Sequence, residues 1–247
     1  MDKDTVKWVV LALIAICGMV GYKIATRGPS TAKASAATTQ EQPAAESRFS
    51  TYYMQKATLF KLLPNDQGEI IFLGNSITDG CEWSELFRNP LIKNRGISGD
   101  VTYGVIARLN EVTESAPRQI YLMIGVNDLA NGLTVDSVMT NYHKIVNTIR
   151  HDTPKTELFL ESVLPVNPEF DRFKNHVNKN DSILILNRQI EALADMYECT
   201  YINLHEAFLN GKGSLDSKYT NDGLHLTGEG YMLWKKIIAP LLPPEEE

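Results

Sequence analysis

Apolar residues along this chain fall into two rhythms. Short, largely apolar segments at residues 70–73, 91–94, 119–125, 157–163 and 200–204 predict strands; the first and third are unbroken enough for burial on both faces, as in a parallel sheet. Between them the period lengthens to that of a helix. Val135, Val138, Met139, Tyr142, Ile145, Val146 and Ile149 form one apolar stripe, with Thr134 or Asp136 as a candidate cap. Ile183, Leu186, Ile190, Leu193 and Tyr197 form a second stripe. Tyr231, Leu233, Trp234, Ile237 and Ile238 form a last one, stopped by Pro240. Residues 54–63 predict a shorter helix before the first strand. Strands alternating with helices imply right-handed crossovers. The expectation is α/β: a single three-layer α/β/α domain with a mainly parallel five-stranded sheet over residues 51–242.

The N-terminal pattern is different. Residues 8–22 are uncharged and mostly apolar between Lys7 and Lys23. Extended to residues 6–25, the run reaches the roughly 20 residues a membrane-spanning helix needs. Residues 1–26 are therefore expected to form a transmembrane signal-anchor. A cleaved signal peptide is the alternative, although Ala34-Ser35-Ala36 lies late for its cleavage site. Residues 27–50, rich in Ala, Ser, Thr, Gln and Glu with Pro29 and Pro43, read as a disordered tether, and residues 243–247 as a solvated acidic tail. The domain would then be membrane-anchored on the extracytoplasmic side, or secreted if the segment is cleaved.

Composition adds exclusions. The net charge is −6, with no basic block and no aromatic-basic interleaving, so no nucleic-acid partner is expected. Cys17, Cys81 and Cys199 lack metal-type spacing. Cys81 and Cys199 are expected to be unpaired buried thiols unless the fold brings them together.

Four stretches carry candidate chemistry. Ser76 follows the first strand through Gly74-Asn75, at the sheet edge where open α/β sheets bind ligands. It reads either as a nucleophile or as a cap of the next helix. The surroundings are not the full Gly-x-Ser-x-Gly elbow, since Thr78 stands where the second glycine would be. Gly96 and Gly99 sit on the turn after the second strand, where exposed amides can meet a ligand, or where a plain glycine turn suffices. Asn127 follows the third strand; its amide can stabilise an oxyanion, or simply cap a helix. Asp222 and His225, three residues apart before the last helix, can pair so that the imidazole presents Nε2 to a serine. His143, His151, His176 and His205 read as surface or core histidines.

Gly74-Asn-Ser-Ile-Thr-Asp79, residues 96–102, Gly125-Val-Asn-Asp128 and Asp222-Gly-Leu-His225 resemble, in order, the four blocks of the SGNH/GDSL hydrolase superfamily, over most of residues 70–234. The first block departs from the family's Gly-Asp-Ser by placing Asn75 before the serine. The resemblance implies a flavodoxin-like fold and a serine esterase working through an acyl-enzyme without metal or organic cofactor. It implies Ser76 as nucleophile, His225 as general base and then acid, and Asp222 as the residue orienting His225. The amides of Ser76 and Gly99 and the side chain of Asn127 would form the oxyanion hole. Residues 94–100 and Leu164-Pro-Val-Asn167 resemble the compact acetylhydrolase-like and sialate O-acetylesterase-like members. The expected substrate is a small-molecule ester: an acetylated sugar or similar polar carrier, in keeping with the polar loop 167–181 and its Arg172, Lys174, His176 and Lys179; that loop reads equally as a solvated connection. A lysolipid or thioester with a longer acyl chain is the alternative. A non-catalytic ligand-binding module is the alternative of another class.

Overall fold

The computed structural model describes residues 49–244. The expected anchor at residues 1–26, most of the tether and Glu245–Glu247 lie outside the described residues. No helix among the described residues is long and apolar enough to cross a membrane.

The described chain enters on α1 (Thr51–Phe60), capped by the Ser50 hydroxyl, which accepts the Tyr53 amide at 3.0 Å. There follow β1 (Ile70–Gly74), the short helices α2 (Ser76–Asp79) and α3 (Trp83–Phe87), β2 (Ile92–Gly96), α4 (Thr102–Ala107) and α5 (Leu109–Thr113). Next come β3 (Gln119–Met123), α6 (Val126–Ala130), α7 (Val135–Asp152), β4 (Glu157–Glu161) and α8 (Asn180–Met196). The chain closes with β5 (Thr200–Ile202), α9 (Leu204–Ala207) and α10 (Gly228–Ile238). The strands form one sheet in the order β2-β1-β3-β4-β5, and every pairing is parallel. The order reverses at β1, so the carboxyl end of β1 lies at the topological switch point, where such sheets bind ligands.

Unbroken apolar strands are explained by a core on each face. Side chains alternate across a sheet. Ile71, Leu73, Ile120, Leu122, Leu158 and Leu160 enter one core, against α7 and α8. Their neighbours Ile70, Phe72, Tyr121, Met123 and Phe159 enter the other, against Trp83, Phe208, Trp234 and Ile238. The second core is aromatic: Phe72 stacks on Trp83 at 4.1 Å and on Tyr121 at 4.9 Å, and Tyr121 on Phe159 at 4.4 Å.

The strands end earlier than the apolar pattern predicts because helix side chains take over their hydrogen bonds. Past β3, the Tyr142 hydroxyl donates to the Ile124 carbonyl at 2.7 Å, and Gly125 turns the chain with φ +122°. Past β4, Asn187 on α8 bonds both the amide and the carbonyl of Val163. Past β5, Leu204 already opens α9. β2 instead runs later than predicted, through Arg95 and Gly96; Arg95 is buried by its ion pair with Glu111 at 2.6 Å. Thr134 is the cap of α7, accepting the Ser137 amide. Cys81 and Cys199 are free thiols on opposite faces of the sheet. Cys199 is only half-buried, and Arg150 donates to its sulfur at 3.2 Å.

Among the carboxyls buried away from the candidate site, one is expected to make stability depend on pH. Glu161 on β4 is 1% exposed and accepts the Trp234 indole N–H at 2.7 Å. Burial pushes it up to about 8 from an ordinary 4.5. With the folded value above the unfolded one, stability is full below 4.5 and is lost as pH rises through about 8. At about 1.4 kcal/mol per unit, roughly 3 kcal/mol should go between pH 4.5 and 7. Glu161→Gln keeps the acceptor for Trp234 and should remove that slope. Denaturant titrations of both proteins from pH 5 to 8.5 check this, and parallel stability profiles would exclude it.

Candidate active site

The first loop is shaped by contact between strands. A side chain at Gly74 would meet Thr78 Oγ1 at 2.2 Å and the Met123 carbonyl at 2.5 Å, so only glycine closes β1 against β3 there. Asn75 then caps α2, its Oδ1 accepting the Ile77 amide at 3.0 Å. Asn75 thus performs the capping that the sequence left open for Ser76, and the Ser76 hydroxyl is free to point elsewhere. An amide oxygen caps as a carboxylate does, so this role survives the departure from Gly-Asp-Ser. The loop is braced from behind: the Tyr231 hydroxyl donates to the Ile77 carbonyl at 2.8 Å, and the Trp83 indole to that of Thr78 at 2.8 Å.

The C-terminal loop brings its two residues to the same point. Asp222 Oδ1 accepts the amides of Leu224 and His225 at 2.9 and 2.8 Å. Asp222 Oδ2 lies 2.8 Å from His225 Nδ1, and His225 Nε2 lies 3.0 Å from Ser76 Oγ. Burial pushes the Asp222 carboxyl up, but the His225 ring and the two amides outweigh it and hold the group below the usual range. An ionised carboxylate only accepts, so Nδ1 carries the proton and Nε2 is left to accept from Ser76. Gly223 makes the turn possible: its φ is +87°, and a Cβ there would meet the Asn167 carbonyl at 2.4 Å.

Topology sets the remaining groups beside Ser76. β2 and β3 flank β1, so the loops carrying Gly99 and Asn127 lie on either side of the serine loop. Gly99 adopts φ +82°. Ser98 and Asp100 on either side of it donate their amides to Asp79 and Ile97. The amides of Gly99 and Ser76 donate to no group among the described residues. Gly96 serves packing instead of exposing an amide, since a Cβ there would meet the backbone of Asp79 at 2.2 Å. Asn127 does not cap α6: its Nδ2 donates to the Asp100 carbonyl at 2.9 Å, which leaves one hydrogen unused.

Buried charge holds these loops in place. Asp128 accepts the amide and the hydroxyl of Thr102, joining α6 to the start of α4. Burial raises Asp128 to about 6. Arg108 grips Asp100 at 3.0 Å and the Arg95 carbonyl at 2.9 Å. Asp79 accepts from Ser98 at 2.8 Å, from the Tyr52 hydroxyl at 2.8 Å and from Lys56 at 2.8 Å, tying α1 to the Gly99 loop.

The sequence reading named His176 on the polar loop 167–181 but missed its contact with Asn127. Read there as a surface or core histidine, it lies with its Nε2 3.0 Å from Asn127 Oδ1. Phe173, on the same loop, meets His225 edge-on at 5.0 Å. The loop 167–181 therefore borders the site. Neither residue carries a periodic or motif signal; only their positions in space reveal them. The other histidines fit the sequence reading: His205 is buried, His143 rests near Tyr197, and His151 is exposed beside Asp152. Among the described residues no three His, Cys, Asp or Glu side chains gather as they would around a metal ion.

This arrangement can pass a proton from a hydroxyl to an imidazole held by a carboxylate, beside amide donors that bind a developing oxyanion. Comparisons with known proteins identify a family of ester hydrolases. Residues 72–233 match the model of the GDSL-like Lipase/Acylhydrolase family. The chain is 26% identical over 179 residues to platelet-activating factor acetylhydrolase IB subunit alpha2 of Homo sapiens, covering 70% of this chain and 74% of that one. A solved structure from Streptococcus pneumonia, described as a platelet activating factor, is 28% identical with a TM-score of 0.72, over 80% of this chain and 96% of that one. A GDSL-like lipase from Bacteroides thetaiotaomicron is 28% identical with a TM-score of 0.67, over 76% of this chain and 96% of that one.

Proposed function

Since this chain belongs to the GDSL-like lipase/acylhydrolase family, within the SGNH/GDSL superfamily, and is a carboxylic ester hydrolase, we propose that Ser76, His225 and Asp222 carry its reaction and that its substrates are short-chain, chiefly acetyl, esters of a polar carrier such as a sugar. The alternative of a non-catalytic binding module is set aside by the family match. The observation that carries the catalytic reading is the continuous relay from Asp222 Oδ2 through His225 to Ser76 Oγ at 2.8 and 3.0 Å.

In this reading Ser76 Oγ attacks the ester carbonyl carbon while its proton passes to His225 Nε2. The carbonyl oxygen becomes an oxyanion, held by the amides of Ser76 and Gly99 and by the unused hydrogen of Asn127. Collapse breaks the bond to the alcohol oxygen, which leaves with the proton from Nε2. Water then attacks the acyl-enzyme, giving one proton to Nε2; that proton returns to Ser76 as the acid departs. Asp222 stabilises the imidazolium in both halves and is not itself protonated.

Two observations support a short acyl group. Relatives matched over 179 and 180 residues bear acetylhydrolase names. The loop beside His225 is polar and charged, with Phe170 next to Gly223 and Phe173 against His225 as its large apolar groups. The test is a series of p-nitrophenyl esters from acetate to palmitate. kcat/KM is expected to peak at acetate and to fall at least tenfold by octanoate; a maximum at octanoate or beyond would favour a lysophospholipase or thioesterase. Acetylated sugars set against an acetylated lysolipid would then identify the carrier.

The same proposal includes the layout read from the sequence: a signal-anchor at residues 1–26, a tether at 27–50 and the hydrolase domain at 51–242 on the extracytoplasmic side. The apolar run between Lys7 and Lys23 supports it. Digestion of the domain by protease added to intact cells or spheroplasts is the expected result, and protection until lysis would reject it.

A further inference from the structure

We propose that His176 is a positioning residue that locks the Asn127 amide in the one orientation that presents a donor to the oxyanion. The inference rests on the oxyanion role proposed for Asn127.

The two ends of a primary amide are alike in shape and opposite in polarity. Turned by 180°, Asn127 would present an oxygen to the developing negative charge. Each end therefore needs a partner that recognises it. The Asp100 carbonyl, an acceptor, takes Nδ2 at 2.9 Å. His176 Nε2 takes Oδ1 at 3.0 Å, and it must donate to do so. That bond fixes the tautomer: Nε2 carries the hydrogen, and Nδ1 is a bare lone pair. His176 Nδ1 is buried and has no partner, which a bare nitrogen tolerates better than a charged ring would. Burial, and then the charge that His225 can carry, outweigh the Phe173 carbonyl, which favours the charged ring, and hold His176 below its ordinary range.

The loop is built to deliver the ring. Asp171 and Phe173 both adopt left-handed backbone, with φ of +46° and +50°, a conformation that side-chain-bearing residues seldom take. The His176 amide then bonds the Phe173 carbonyl at 2.7 Å, closing a turn that sets Phe173 against His225 and His176 against Asn127. One turn thus contacts both halves of the machinery.

The test is a double-mutant cycle on the whole protein with p-nitrophenyl acetate. Asn127→Ala alone should lower kcat roughly 10²- to 10³-fold. His176→Ala should lower kcat about 10- to 100-fold with KM little changed, as expected for a misaligned donor. In the Asn127→Ala background, His176→Ala should cost nothing further, because there is no amide left to orient. His176→Gln, whose amide N–H can reach Oδ1, should recover most of the loss, whereas His176→Phe, of similar bulk, should not. Thermal unfolding of each variant separates misfolding from misalignment. If Asn127→Ala is damaging but His176→Ala is within threefold of the parent, or if the two losses multiply, His176 does not act through Asn127. Recovery by Phe as well as Gln would reduce His176 to packing. If Asn127→Ala itself leaves kcat unchanged, the oxyanion reading fails, and this inference with it.

Discussion

Ser76→Ala is expected to reduce kcat on p-nitrophenyl acetate by a factor on the order of 10⁶, leaving a residue of rate from the oxyanion donors and binding alone. The size follows from geometry. Among the described residues the Ser76 hydroxyl is the one hydrogen-bond partner of His225 Nε2, at 3.0 Å, so no neighbouring nucleophile stands ready there to replace it. The fold should not change. Ser76 opens α2, but the cap is made by Asn75, and the Ser76 side chain supports no backbone group among the described residues. Thermal unfolding should therefore match the parent within about a degree, and the burst of p-nitrophenol that marks acyl-enzyme formation should vanish. A variant that kept more than about one hundredth of the parent rate would show that another residue attacks the ester.

Asp222→Asn is expected to be nearly as damaging, with kcat lowered on the order of 10⁴-fold. The substitution is informative because it separates two duties of one side chain. Oδ1 shapes the loop by accepting the amides of Leu224 and His225, and an asparagine oxygen can still do this. Oδ2 accepts from His225 Nδ1, and an NH2 in its place cannot. The ring must then either lose that bond or bind with Nδ1 bare, which puts the hydrogen on Nε2, facing Ser76. In that tautomer the base has nowhere to put the serine proton. KM should change little, since the loop stays folded. Asp222→Ala removes both duties and should also lower thermal stability. Because the Asp222 carboxyl is held below its ordinary range, its contribution to stability is present above 3.8 and is lost as pH falls through the lower folded value. Asp222→Ala should lose this acid-side dependence. An Asp222→Asn enzyme within tenfold of the parent would mean that His225 is oriented by other contacts.

How much of this was legible beforehand depended on what each element asks of its neighbours. β1 and β3 announced themselves because burial on both faces favours an unbroken apolar run, and β4 through Leu158, Phe159 and Leu160 between its two glutamates. β2 was half hidden: it lies at the sheet edge, and after Ile92 it continues through Lys93, Asn94 and Arg95, which are satisfied by Asp66, the backbone near Cys81 and Glu111. α2, α3, α6 and α9 are four or five residues long, too short for a helical period to repeat. The residues proposed for the reaction were readable because each follows a strand or precedes a helix in a short local pattern. His176 was not, because its meaning depends on Asn127, 49 positions earlier, across a loop with no pattern of its own. Glu161 was unreadable for a related reason: the sequence of β4 shows a carboxylate but not the indole of Trp234 that receives it.

The tie between α1 and Asp79 bears on what counts as the heritable unit of this enzyme. Tyr52 and Lys56 lie outside the span that matches the family model, yet both hold the carboxylate that in turn holds Ser98, the residue before Gly99. A recombination event that joined this family's span to a new leader at the start of β1 would carry over the nucleophile, the base and all three candidate donors. It would leave behind the clamp that keeps one of those donors in register. A transferable unit of this enzyme would therefore have to begin before α1, although that helix contributes no reacting group.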